Sequence, residues 1–202
     1  LLNDSTAFIS ADPRRIEKAA SFYSYENKIT HLKQGSIFKY NIQTKKLDNL
    51  TSHIDFEFHP HGISIYEFNN KIYLNAVNHT SEGNSVISFI LIDNQLVFIK
   101  EIISPLLVSP NDLVMINKNQ FYITNDHGSN NVVSKLLEDY LQLSKSNILF
   151  YDGNQFIISA NKLKYANGIN ISNDFKKIYV AETIGKRIRI YERDELNNNL
   201  NL

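Results

Sequence analysis

The sequence predicts an all-β protein, a β-propeller, on three observations. Short apolar runs with period-two alternation are separated by Asn/Asp/Gly turns. An aromatic–aliphatic–small triplet recurs as Phe8-Ile9-Ser10, Tyr73-Leu74-Asn75, Tyr122-Ile123-Thr124 and Tyr179-Val180-Ala181. Its loose period of roughly 50 residues is that of a four-stranded blade. Finally, Asn111-Asp112 and Asn167-Gly168 precede strands at the place His61-Gly62 takes in its own repeat. By this count the chain carries about three and a half to four blades. A propeller closes on itself to remove exposed sheet edges and uses four to eight blades. The expectation is therefore one partial propeller domain spanning residues 1–202.

Taken in order, Thr6 to Ser10 reads as a strand. Asp12-Pro13 reads as a helix start, with Asp12 as cap, Pro13 at the first helical position and Ile16, Ala19, Ala20 and Tyr23 on one face; a structured loop is the alternative. Gly35 to Ile42 alternates as a strand, and Gln43 to Leu50 turns into the next. Two hairpins follow: Gly62 to Phe68 with Ile72 to Val77 around Asn69-Asn70, and Ser85 to Ile92 with Leu96 to Ile103 around Asp93-Asn94. Further pairs are Asp112 to Ile116 with Phe121 to Thr124, Ile148 to Tyr151 with Phe156 to Ser159, and Gly168 to Ile171 with Ile178 to Ala181. Arg187 to Tyr191 is the last strand. One segment departs. Between Asn130 and Leu143, the residues Val133, Leu136, Leu137, Tyr140 and Leu141 fall at helical spacing, which predicts a short helix between blade strands, packed against the body; a lid is the alternative.

Composition bounds the function. The 21 Lys+Arg against 21 Asp+Glu give no electrostatic footprint for nucleic acid or an anionic membrane. With no cysteine there are neither disulfides nor thiolate metal sites, and no apolar run reaches the length of a membrane span. The chain starts at Leu1 without a signal peptide, which reads as a processed or incomplete sequence.

The chemistry gathers at strand ends. His61 stands between Pro60, with its fixed φ, and the permissive Gly62, at the lip of a strand. His79 ends the partner strand, so the two imidazoles are expected side by side. A paired imidazole holds its neighbour in one tautomer and raises its basicity, as a general base near neutral pH requires. The alternative is a pair of hydrogen-bonded structural histidines, the reading kept for His31, His53 and His59. Asn111, Asp112 and Asn167 converge on the channel of a propeller, and amide and carboxylate oxygens from several blades suit Ca²⁺. Equally, Asn-Asp and Asn-Gly are common turn residues.

His59-Pro60-His61-Gly62-Ile63-Ser64, Val77-Asn78-His79, Pro110-Asn111-Asp112, Tyr122 to His127 and Ala166-Asn167-Gly168-Ile169-Asn170-Ile171-Ser172 resemble, in order and approximate spacing, the paraoxonase/arylesterase family. Tyr179-Val180-Ala181-Glu182 and Arg189-Ile190-Tyr191-Glu192 extend the likeness almost to the C-terminus. The resemblance implies a six-bladed β-propeller with two calcium ions in its central tunnel, hydrolysing aryl esters and lactones. Carried over position by position, it makes Asn111 and Asn167 ligands of a catalytic calcium. Asp112 and the backbone carbonyl of Ile63 become ligands of a deeper, structural one. His61 and His79 are then the dyad that activates water, and Asp126 and His127 lie behind the metal site.

The departures are specific. The family's adjacent Glu-Asp pair, upstream of the strand holding Phe8, has no counterpart here, and its Asp-Asn pair falls beyond Leu202. Only part of each calcium site is thus expected, which reads as a partial sequence or a truncated member of the family. Two other readings stand beside the calcium-dependent esterase/lactonase: a non-catalytic propeller used as a binding platform, and a single-metal gluconolactonase-like enzyme. The expected partner is a small-molecule ester or lactone, with no nucleic acid and no membrane span; the oligomeric state is not legible. The resemblance leans towards an extracellular or periplasmic protein.

Overall fold

The computed structural model describes residues 5–13 and 34–202. Four antiparallel sheets follow one another along the chain. The first has three strands in the order β1 (Thr6–Ala11), β2 (Ser36–Asn41), β3 (Leu47–Asn49). The second runs β4 (Pro60–Phe68), β5 (Lys71–His79), β6 (Asn84–Ile92), β7 (Gln95–Ile103). The third consists of β8 (Pro110–Met115), β9 (Phe121–Asn125), β10 (Ser146–Tyr151) and β11 (Phe156–Leu163). The fourth holds β12 (Ala166–Ile171), β13 (Lys177–Glu182), β14 (Arg187–Arg193) and β15 (Leu200–Asn201). This is the predicted blade architecture. The helix expected after Pro13 lies outside the described residues.

The turns obey local chemistry. Asn69-Asn70 and Asp93-Asn94 close two-residue hairpins with φ of 50° and 57°, and of 48° and 62°. Both central residues are left-handed, as the right-handed twist of the flanking strands demands, and Asn and Asp tolerate that conformation best among non-glycine residues.

Between blades, side-chain alternation serves two cores from one strand. In β10, Leu149 and Tyr151 face the second sheet, joining Val77, Val86 and Phe121. Ile148 and Phe150 point oppositely, joining Tyr122, Ile169, Ile178 and Val180 of the third and fourth sheets. Strands sandwiched in this way read as continuous apolar runs. A third core, built on Ile37, Phe58, Leu74 and Phe89, joins the first sheet to the second.

The only helix among the described residues, α1 (Val132–Tyr140), starts at Asn131, whose side chain accepts from the N–H groups of Val133 and Ser134. It lies inside the 130–143 segment where a short helix is expected, and it attaches through polar contacts. None of its residues is buried, and Val133, Leu136, Leu137 and Tyr140 are exposed. Its hold on the body is polar: Asp139 meets His127, Glu138 accepts from the N–H of Gly128, and Lys135 donates to Ser109.

Candidate active site

The inner strands β4, β8 and β12 share a defect that builds the site. Pairing with the second strand of each sheet slips between Pro60 and Ile63, between Pro110 and Leu113, and between Ala166 and Ile169. These bulges lift His61-Gly62, Asn111-Asp112 and Asn167-Gly168 out of the regular pleat. A bulge bends its strand and re-aims the side chain, as often happens beside active sites. A second repeated device fixes the entry to each bulge. The N–H groups of His59, Ser109 and Lys164 donate to Asn78, Asn125 and Glu182, at 2.7, 3.0 and 3.1 Å. These three acceptors are buried at the ends of β5, β9 and β13.

Neighbouring blades are then tied together. Thr124 Oγ1 on β9 donates to the carbonyl of Asn167 at 2.7 Å, and Ser10 Oγ on β1 donates to the carbonyl of His61 at 2.6 Å. By this shared link β1 corresponds to β9, the second strand of its blade. Phe8 and Tyr122 therefore occupy matching positions. Tyr73 sits in the matching strand but five residues before Asn78, whereas Tyr122 sits three before Asn125. The triplet is thus offset by two residues there while keeping its face of the sheet.

His61, Asn111, Asp112 and Asn167 border one cavity of about 420 Å³, together with Ser10 and Asp12. Asn111 donates through Nδ2 to Asp126 Oδ2 at 3.0 Å. An ionised carboxylate only accepts, so the amide nitrogen must face it, which leaves Asn111 Oδ1 for the cavity. Asp126 is held below the usual carboxylate range: burial pushes it up, but hydrogen bonds from Ser109, Asn111 and His127 outweigh that. His127 continues the chain of contacts, 2.7 Å from Asp126 and 3.0 Å from Asp139 of α1.

Asp112 accepts from the N–H of Leu113 at 2.9 Å and, across the blade boundary, from that of Ile169 at 3.1 Å. Burial raises its pKa despite these two bonds. Gly62 makes room for it: a Cβ there would lie 2.5 Å from the carbonyl oxygen of Asn111 and 2.6 Å from Asp112 Oδ1. The site thus sets the Asn111 amide oxygen beside two carboxylates, Asp12 and the half-buried Asp112; burial makes the charge of Asp112 costly to hold. A hard, oxygen-seeking cation fits that donor chemistry. Among the described residues no group of three or more His, Asp or Glu is placed to hold a metal ion.

His61 and His79 are brought together, with ring centroids 5.5 Å apart at 64°. The tautomer of His79 follows from its neighbour. Asn84 Nδ2 donates to the carbonyls of Leu107 and Val108 at 3.0 and 3.3 Å, which turns Asn84 Oδ1 to His79 Nδ1 at 2.7 Å. An amide oxygen only accepts, so His79 carries its proton on Nδ1, and Nε2 is the lone-pair nitrogen of the neutral ring.

Sequence reasoning missed Ser10, Asp12, Thr124 and Asn84. The first three had a signal, since each follows or closes an aromatic–aliphatic–small triplet. Asn84 had none, being one polar residue at the start of an apolar strand.

Residues 25–202 match a family profile described as Arylesterase. Serum paraoxonase/arylesterase 2 of Bos taurus is 38% identical over 148 residues, 72% of this chain and 41% of that protein. The Gallus gallus protein of the same name is 37% identical over 169 residues, 80% of this chain and 48% of that one. Serum paraoxonase/lactonase 3 of Homo sapiens is 38% identical over 141 residues, 68% of this chain and 40% of that one. The chain spans less than half the length of these curated relatives. Among solved structures, a gluconolactonase from Xanthomonas campestris superposes with a TM-score of 0.56 at 17% identity, over 83% of this chain and 53% of that one. A periplasmic gluconolactonase from Pseudomonas aeruginosa gives 0.54 at 13% identity, over 98% and 53%. At such identities the likeness is one of fold.

Proposed function

The chain belongs to the arylesterase family, and from that premise we propose that it carries the base and part of the calcium site of an aryl-ester and lactone hydrolase. What supports the reading is one convergence: three bulges from three blades bring His61, Asn111, Asp112 and Asn167 to one cavity, with the His79 ring against His61. Asn111 and Asn167 would hold the catalytic ion, and Asp112 with the carbonyl of Ile63 the deeper one. When bound, calcium supplies a Lewis acid that favours negative charge on the ester oxygen.

The residues themselves handle the proton. His61, at the cavity wall, takes a proton from the attacking water and returns it to the departing alkoxide. His79, its own proton fixed on Nδ1 by Asn84, orients and supports that ring. Asp126 keeps Asn111 turned with its oxygen inward, and His127 holds Asp126. The bonds balance as water plus ester giving acid plus alcohol. The small-molecule substrate is an ester or lactone that fits a polar, amide-lined cavity.

The test is calcium titration by calorimetry, with turnover of an aryl acetate and a δ-lactone measured before and after chelation. Weak calcium binding with slow, chelator-sensitive hydrolysis is expected of these 202 residues, because they hold only part of each ion's ligand set. Calcium binding without turnover of either substrate would instead favour a propeller used as a binding platform.

A further inference from the structure

We propose that Asp12, acting through His59, is a positioning residue for His61; this rests on the hydrolase reading above. His59 is fully enclosed, and its Nδ1 lies 3.0 Å from Asp12 Oδ1. Its Nε2 stops 3.5 Å from Glu57 Oε1 and makes no hydrogen bond. The ring is therefore oriented from the Asp12 side. The backbone of His59 is tied at both ends to the strand that carries His79. Its N–H donates to Asn78 Oδ1 at 2.7 Å, and its carbonyl accepts from the N–H of His79 at 3.3 Å. Pro60 follows with its fixed φ, and then His61, whose carbonyl takes the Ser10 bond.

The end of β1 thus grips the turn twice, once on each side of Pro60: Asp12 on the ring of His59, Ser10 on the carbonyl of His61. At the junction of the third and fourth blades only half of this recurs. Thr124 repeats the Ser10 bond, but Asp126, which stands where Asp12 stands, bonds Ser109 of its own blade. The tie from carboxylate to imidazole across a blade boundary belongs to the blade that presents the candidate base. An enclosed carboxylate–imidazole contact is among the stronger local constraints. A misplacement of about 1 Å at a reacting group costs on the order of 10²-fold in rate.

Asp12→Asn is expected to lower kcat about 10-fold while KM stays within about twofold, because ground-state binding does not depend on the base. Combined with His61→Gln it should cost nothing further, since two residues acting as one unit are not additive. In the 202-residue chain, whatever its turnover, the nuclear Overhauser contact between the His61 and His79 rings should weaken in Asp12→Asn. His59→Gln is the second variant, with the same expectation, should Asp12→Asn fail to fold. The proposal is overturned if Asp12→Asn lowers kcat equally with and without His61, which marks a general structural loss, or if kcat and the ring contact are both unchanged. Should His61→Gln alone leave turnover intact, the base assignment is what fails, and the ring contact still decides whether Asp12 positions His61.

Discussion

Asp112, on the third blade, accepts the N–H of Ile169 on the fourth at 3.1 Å, so one carboxylate both lines the cavity and locks two blades together. The link is possible because β8 and β12 bulge at the same level, bringing a side chain from one bulge to a backbone donor freed by the next. The site and the packing of blades are therefore one construction. A change that opens the site should also loosen the blades.

Gly62→Ala tests that coupling. The added methyl would meet the Asn111 carbonyl and the Asp112 carboxylate at distances no relaxed contact allows. Overpacking of this kind costs about 1–3 kcal/mol. Calcium affinity should fall with it, since both residues are displaced. Denaturant melts and calorimetry on the same preparation check the two together, and retained affinity at reduced stability would separate site from packing.

His61→Gln should lower turnover of aryl ester and lactone by roughly 10²- to 10⁴-fold, the usual contribution of a positioned base. Calcium binding should be unchanged, because the imidazole is not among the proposed ligands. Normal rates on both substrate types would make the His61–His79 pair structural.

Glu182 illustrates what the sequence concealed. It sits in Tyr179-Val180-Ala181-Glu182, where alternation tells only that a polar residue follows a strand. In the fold it is buried, meeting Arg187 and Arg189 and capping the N–H of Lys164 at 3.1 Å. Glu182→Gln keeps the shape but leaves the two guanidinium groups without their counter-charge. Glu182 is buried but Arg187 is half exposed and Arg189 partly so, so water takes up part of the released charge. The expected loss is about 1–3 kcal/mol, that of charged hydrogen bonds. A drop under 1 kcal/mol in a denaturant melt would mean that water compensates the arginines.

The hairpins were legible because their chemistry is local: Asn-Asn and Asp-Asn turns declare left-handed backbone, and period-two alternation declares a strand. The convergence of His61, Asn111 and Asn167 was legible because each blade repeats it. The bulges were not, since a slipped register leaves composition and spacing intact and shows only when the partner strand is in place. Asp12 reads as a helix cap from Asp-Pro alone. Its place in the cavity depends on β1 lying beside β4, a contact across some fifty residues of sequence. The apolar spacing in α1 was visible, but not that its polar residues would make the attachment.

Tyr122 sets an alkaline limit. It is fully enclosed, and its hydroxyl donates to the carbonyl of Asn198 at 2.7 Å. Burial pushes its pKa from 10.0 up to about 12, against a smaller opposing influence from Arg193. The unfolded chain releases this proton first. The stability it contributes is therefore complete below pH 10 and is lost as pH rises from there towards about 12. Tyr122→Phe should remove that part of the alkaline slope. Thermal melts of both proteins across this range decide it, and identical slopes would place the titration elsewhere.

The outer faces of the first and fourth sheets carry the last prediction. In β13 and β14, Ile178, Val180 and Tyr191 pack against the third blade, while the opposite face presents Ile188 and Ile190, 67% and 50% exposed. At the other end of the row, Ile9 and Leu47 are 42% and 53% exposed on the first sheet. Within the row, equivalent sheet faces are covered by the next blade, so these two retain an unspent apolar surface. Such patches mark a surface that associates. The 202-residue chain is therefore expected to self-associate with rising concentration. Ile188→Glu should suppress that, because pairing would bury an unpaired charge. It should leave the melting curve of the dilute monomer within about 0.5 kcal/mol, as surface substitutions do. Sedimentation velocity over a concentration series reads the outcome. Unchanged association in Ile188→Glu and in Ile9→Lys alike would show that these faces are not the adhesive ones, and would turn attention to the exposed apolar side of α1.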